Sequence, residues 1–196
     1  RGVGKGQADV PYPGTVLSRM RSVPSTDTLL KDGVKPVSPI VEATNDQWFQ
    51  IVDSKYTELE GAIMDHSVGG YSKPGNSYNI GGKEAFDSGQ ARVFSLRDAT
   101  TGEPKITVDV DYSDPENPYV YMFKGPSNTE ELGEDYAQLF KFVTENNITL
   151  SRGTSREVRD AYDQYRADLP GTFVDVPTED LTLGQRQAWL DTPDDN

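Results

Sequence analysis

One short run concentrates residue types able to do chemistry: Asp65-His66-Ser67-Val68-Gly69-Gly70-Tyr71. His66 is the only histidine in the chain, and imidazole is the side chain whose ordinary pKa lets it take and give protons near neutrality. A single imidazole excludes any site that needs two from one chain. Further along stand Arg97 and Lys124, cations that could clamp an anion, and Thr107 and Asp109, which could orient a polar group. On one sheet face beside His66, the four would bind an anionic or polar ligand. On a solvated face they would instead form cross-strand pairs, and His66 near a helix carboxyl end would complement the helix dipole.

Other chemistries are excluded by residue type or order. The chain has no cysteine, so a thiolate metal site and a disulfide framework are both impossible. The phosphate-binding pattern Gly-x-x-x-x-Gly-Lys-(Ser/Thr) fails twice at one place: Ser77 stands at the first glycine position and Glu84 follows Gly82-Lys83. Gly2-Val3-Gly4-Lys5-Gly6 fails in the same way. Asp109 with Asp111, and Asp114 with Glu116, lack the order of a calcium loop. Neither a metal nor a cofactor is expected.

The elements that must position these residues follow from pattern. Thr44 and Gln47 have capping-box spacing, and Trp48, Val52, Tyr56, Leu59 and Ile63 recur every three or four residues. That spacing predicts a helix over about 46–66, ending at Gly69-Gly70. A Gly-, Ser- and Asn-rich loop follows over 69–82, long for a compact domain. Three strands are expected at 92–97, 104–112 and 119–124. In the second, Ile106, Val108, Val110 and Tyr112 alternate with Lys105, Thr107, Asp109 and Asp111. Short turn-forming links make these an antiparallel three-stranded meander with one face buried. Two helices come next, one lined by Leu132, Tyr136, Leu139, Phe140 and Val143. The other is lined by Val158, Ala161, Tyr162, Tyr165 and Leu169, with Thr154 and Glu157 as its capping box. The fold class is therefore α+β.

The flanks differ in character. Residues 1–44 carry six basic and four acidic residues, and runs such as Val10-Pro11-Tyr12-Pro13-Gly14 read as an extended arm, packed on its own domain or laid on a partner. The tail from Pro177 is acidic, with a short helix over 185–190. The whole chain carries a net charge of −13, which leaves about −15 on the body beyond the arm. That charge argues against binding duplex nucleic acid, whose recognition runs on Lys and Arg. No apolar run approaches the roughly 18 residues of a spanning helix, so no membrane contact is expected. The chain starts at Arg1 and is read as a processed product, a chain trimmed of an added tag or a segment of something longer.

In order and spacing, four motifs resemble the PcfJ-like domain of conjugative-element and phage polyvalent proteins. They are His66 to Tyr71, Ser95-Leu96-Arg97-Asp98, Pro104 with Thr107-Val108-Asp109, and Lys124-Gly125 with Asn128. The likeness covers about residues 48–145. Two positions depart from the family pattern: Ser67 stands in place of Cys, and Met122 in place of Gln. The first is either natural divergence or the replacement of a reactive thiol. The domain organisation expected is an extended arm over 1–44, a PcfJ-like α+β core over 45–170 and an acidic tail with a short helix over 171–196. The resemblance also implies a shared polar site, with the His66 ring in contact with Arg97, Thr107 or Asp109. The expected function is an accessory domain of a phage or mobile-element protein, working through protein–protein contacts in a virion or the bacterial host cytoplasm. The alternative is an enzyme of unknown reaction, with His66, Ser67, Arg97 and Asp109 catalytic and Thr107, Lys124 and Asn128 binding ligand. Serine at 67 would be a weak nucleophile there without a base held by a third group.

Overall fold

The structure is a computed structural model in which residues 29–31 and 33–170 are described. Two compact units divide at Thr154 and Ser155. In the first unit the elements run β1 (Val34–Pro36), β2 (Asp46–Ile51), α1 (Ser54–Met64), a 3-10 turn (Ser67–Ser72), α2 (Gly82–Ser88), β3 (Ala91–Asp98), β4 (Pro104–Asp111), β5 (Tyr119–Lys124), 3-10 turns at Pro126–Asn128 and Gly133–Asp135, α3 (Tyr136–Glu145) and β6 (Thr149–Leu150). The second unit holds α4 (Arg156–Ala167). Its amino end is capped by the Ser155 side chain, which accepts from the Val158 amide, and not by the Thr154 box expected from the spacing.

The strands form one six-stranded mixed sheet in sequence order. Neighbours pair antiparallel from β1 to β5, and β6 joins β5 in parallel. The three expected strands are therefore part of a larger sheet. Both of its faces are covered, not one. Register sets the faces: Phe49, Ser95, Thr107 and Lys124 lie in one row across β2 to β5, with Ile51, Val93, Asp109 and Met122 in the next. This face meets α1, α2 and the Ser67–Ser72 turn through a cluster that includes Phe49, Ile51, Val68, Tyr71, Phe86 and Val93. The opposite face carries Trp48, Phe94, Leu96, Ile106 and Phe123 and is closed by α3, with Trp48 stacked on Phe142 at 4.3 Å. Each aromatic or aliphatic side chain fully buried this way contributes about 1.5–3 kcal/mol.

Residues 46–51, expected as the start of a helix, are a strand. Asn45 takes a left-handed conformation (φ 58°) and turns the chain back, so that Asp46 to Ile51 pair with β3. With both sheet faces buried, Trp48, Phe49 and Ile51 are all core residues, and the spacing that resembles a helix stripe is a two-sided strand. The helix starts later, at Ser54, with the Asp53 carboxylate accepting from the Lys55 amide. It stops at Asp65, again left-handed at φ 53°, four residues before the glycines expected to end it. Its buried face is Thr57, Glu60, Gly61 and Met64, while Tyr56, Leu59 and Ile63 on the expected apolar face are only half-buried. Gly61 is required by close approach, because a Cβ there would lie 2.7 Å from the His66 carbonyl oxygen.

The expected loop over 69–82 begins inside the 3-10 turn and ends at α2, a helix without enough apolar periodicity to announce itself. Within the expected arm, Val34–Pro36 is the edge strand β1, paired with β2. The rest of the arm before residue 29, and the helix expected over 185–190, lie outside the described residues. Among the described residues no helix is long and apolar enough to cross a membrane.

Candidate functional site

Four motif residues meet under α1 in a buried polar chain. Arg97 and Glu60 form an ion pair at 2.6 Å with both side chains fully inaccessible. Neither group would be tolerated there alone. Glu60 uses its second oxygen to accept from the Thr107 hydroxyl at 2.7 Å. Thr107 in turn lies 2.9 Å from His66 Nε2. Arg97 also donates from Nε to Ser95 Oγ at 3.0 Å and from Nη1 to the Leu29 carbonyl at 2.6 Å, so each of its three nitrogens is engaged.

These bonds fix the state of His66. The Val68 amide donates to its Nδ1 at 3.4 Å, so Nδ1 is an acceptor. The Thr107 hydroxyl has given its only proton to Glu60, so it accepts from His66 Nε2–H. His66 is the neutral Nε2–H tautomer, with both ring nitrogens engaged. Its pKa is lowered, chiefly by burial, with Lys124 adding to that and Glu60 and Asp65 opposing it. The ring therefore reaches one of the three expected sheet partners, Thr107, and its carboxylate neighbour is Glu60 instead of Asp109.

Several expected roles change accordingly. Arg97 cannot clamp an anion, since its guanidinium is sealed and all three of its nitrogens donate within the fold. Lys124 sits beside His66 but holds Glu130 at 2.5 Å. Ser67 is exposed, and its hydroxyl meets Tyr78 Oη at 3.1 Å, so no base prepares it as a nucleophile. Asn128 is exposed on the Pro126–Asn128 turn, left-handed at φ 61°, and is not joined to the chain around His66.

Asp109 belongs to a second buried group one row along the sheet. Its Oδ2 accepts from Asn79 Nδ2 at 2.7 Å. Oδ1, and the hydroxyl of the neighbouring Tyr71, have no hydrogen-bond partner of good geometry. The two side chains are nonetheless close enough to act on each other's ionisation. Burial pushes the Asp109 pKa up to about 7, against the pull of Asn79 and Tyr71. Tyr71 is pushed upward too, by burial and then by Asp109.

Glu60, Ser95 and Asn79 carry as much of this geometry as the residues singled out from the sequence. Ser95 is visible within the Ser-Leu-Arg-Asp motif. Glu60 has only a faint signal, a carboxylate among ordinary helix-surface residues, and Asn79 has none. Among the described residues no cluster of three or more His, Cys, Asp or Glu is arranged to hold a metal ion. No protein-family model matches the chain, and no curated protein or solved structure matches it.

Proposed function

We propose that the chain is a non-catalytic accessory domain that works through protein–protein contacts, in the phage or mobile-element setting that its PcfJ-like motifs imply. One observation carries this reading: in the chain Arg97–Glu60–Thr107–His66–Val68 every polar atom that could act on a substrate is already committed to another. A catalytic histidine needs a free lone pair or a transferable proton facing substrate, and a substrate clamp needs donors to spare. Here the motif residues hold α1 to the sheet instead. The resemblance is then one of architecture, in which the shared polar residues specify how helix and sheet join. The exposed surface is left to do the work, and its negative charge excludes duplex nucleic acid from the partners we propose.

Chemical crosslinking in cells that express the chain tests the reading. Ile40 and Tyr121 are large apolar residues 49 % and 42 % exposed; Ile40→Asp or Tyr121→Asp removes protein crosslinks, while His66→Gln keeps them. Turnover of a compound from a metabolite library that disappears in folded His66→Gln protein overturns it in favour of the enzyme.

A further inference from the structure

We infer that residues 73–81 form a strap latched to the sheet by the Asn79–Asp109 bond, and that ionisation of Asp109 releases it. Residues 73–77 of this segment are exposed, and much of its internal bonding is local, as in Gly81 and Gly82 donating to the Tyr78 carbonyl. The Gly75 amide donates to Glu84 of α2 at 3.4 Å, and the strap's side chains meet the body at three consecutive residues. Tyr78 lays its ring against Gly70, where a Cβ would come within 2.5 Å of it, and edge-on to Tyr71 at 4.9 Å. Ile80 packs on the core cluster. Between them Asn79, held left-handed at φ 43°, ties the strap to the buried sheet face through its side-chain bond to Asp109.

That anchor is an unusual one. Asp109 is 1 % exposed, and among the described residues no cation faces it from any element packed around it. The Ser67–Ser72 turn presents Tyr71 and the strap presents Tyr78 and Asn79. β3 places Val93 opposite it and β5 places Met122. α2 contributes Ala85 and Phe86 to the adjoining cluster. From α1 the charged group is Glu60, already held by Arg97 and Thr107. As a neutral acid, Asp109 can keep the Asn79 bond on one oxygen and donate from the other to the orphaned Tyr71 hydroxyl. As a carboxylate it is an uncompensated buried charge, and the nearest relief is solvent, which lifting residues 78–80 would admit. Both phenols are shifted upward by burial and then by Asp109, so Asp109 alone titrates near neutrality in this group.

Hydrogen–deuterium exchange of the intact chain tests the latch, with each rate divided by the intrinsic rate at that pH. With Asp109 titrating near the ordinary 3.8 when the strap is open and at about 7 when it is latched, opening of the strap rises roughly tenfold per pH unit between about 4 and 7 and then levels off, so about 20-fold from pH 5 to pH 6.5. Peptides covering 73–82 should lose protection by this factor while β4 amides keep theirs. Asp109→Asn should flatten the profile, and Asn79→Ala should leave the strap unprotected throughout. An unchanged pH profile in Asp109→Asn sinks the proposal. So does parallel loss of protection in strap and β4, which would mean global unfolding.

Discussion

Replacing Asp109 by Asn should stabilise the protein in mild alkali and do nothing in acid. An ordinary aspartate titrates near 3.8 and Asp109 near 7 in the fold. The folded state holds its proton more tightly, so folding stability is greatest below the unfolded pKa. It falls as pH rises from about 4 to about 7 and then levels off. A shift of about three units at roughly 1.4 kcal/mol each makes the loss about 4 kcal/mol. The substituted amide would be neutral at every pH. Its carbonyl would accept from Asn79, and its NH2 group would face the orphaned Tyr71 hydroxyl as a donor. The difference between Asp109→Asn and wild type should be near zero at pH 4 and approach about 4 kcal/mol at pH 8.5, of the order of 10 °C in Tm for a domain of this size. Release of the strap before global unfolding would cap the gain at the free energy of that release. Urea titrations across pH 4–9 measure it directly. Destabilisation by Asp109→Asn at pH 8.5 would refute the reasoning, since it would mean that the carboxylate is a favourable charge in the fold.

Three other outcomes follow from the buried chain and the charge. Glu60→Gln leaves the sealed Arg97 without its counter-charge and should cost about 3–5 kcal/mol in urea unfolding; replacing Arg97 by Met in the same chain should recover part of it. In proton and nitrogen NMR, His66 should appear as the Nε2–H tautomer and titrate below its ordinary range. Asp109→Asn should leave that titration in place, whereas Glu60→Gln should lower it further, because the Glu60 charge now supports the imidazolium. Duplex DNA should not bind at physiological salt, and a steeply salt-dependent titration would contradict the reading of the −13 charge.

What the sequence discloses and what it hides divide along a physical line. Strands β3, β4 and β5 are legible because β-branched and aromatic residues run between clear turn residues, and α3 because its Leu139, Phe140 and Val143 keep helical spacing. The stretch 46–64 misleads because two rules that hold for half-exposed elements fail there. A strand buried on both faces loses its alternation, so Trp48 and Phe49 can both be core and the remaining spacing imitates a helix. A helix packed through an ion pair inverts its stripe, so the face carrying Glu60 and Thr57 goes inward while Tyr56 and Leu59 stay half-exposed. Hydrophobic periodicity assumes that charge marks the outside, and α1 breaks that assumption with a single residue.

The same inversion explains why a catalytic reading of the motifs is tempting. Arginine, threonine, aspartate and histidine on one sheet face are the ingredients of an active site, and the fold does bring Arg97, Thr107 and His66 together. What sequence cannot display is whether such groups face a cavity or face each other. The deciding residue is Glu60, 37 positions from Arg97 and outside every recognisable motif. With it in place, the guanidinium, the hydroxyl and the imidazole are each consumed in turn, and a constellation that could have bound an anion becomes the joint between helix and sheet. Asp109, one row further, has no such partner. That is why the reactive-looking His66 is held as one tautomer with its pKa lowered, while burial raises that of a carboxyl in an ordinary alternating strand.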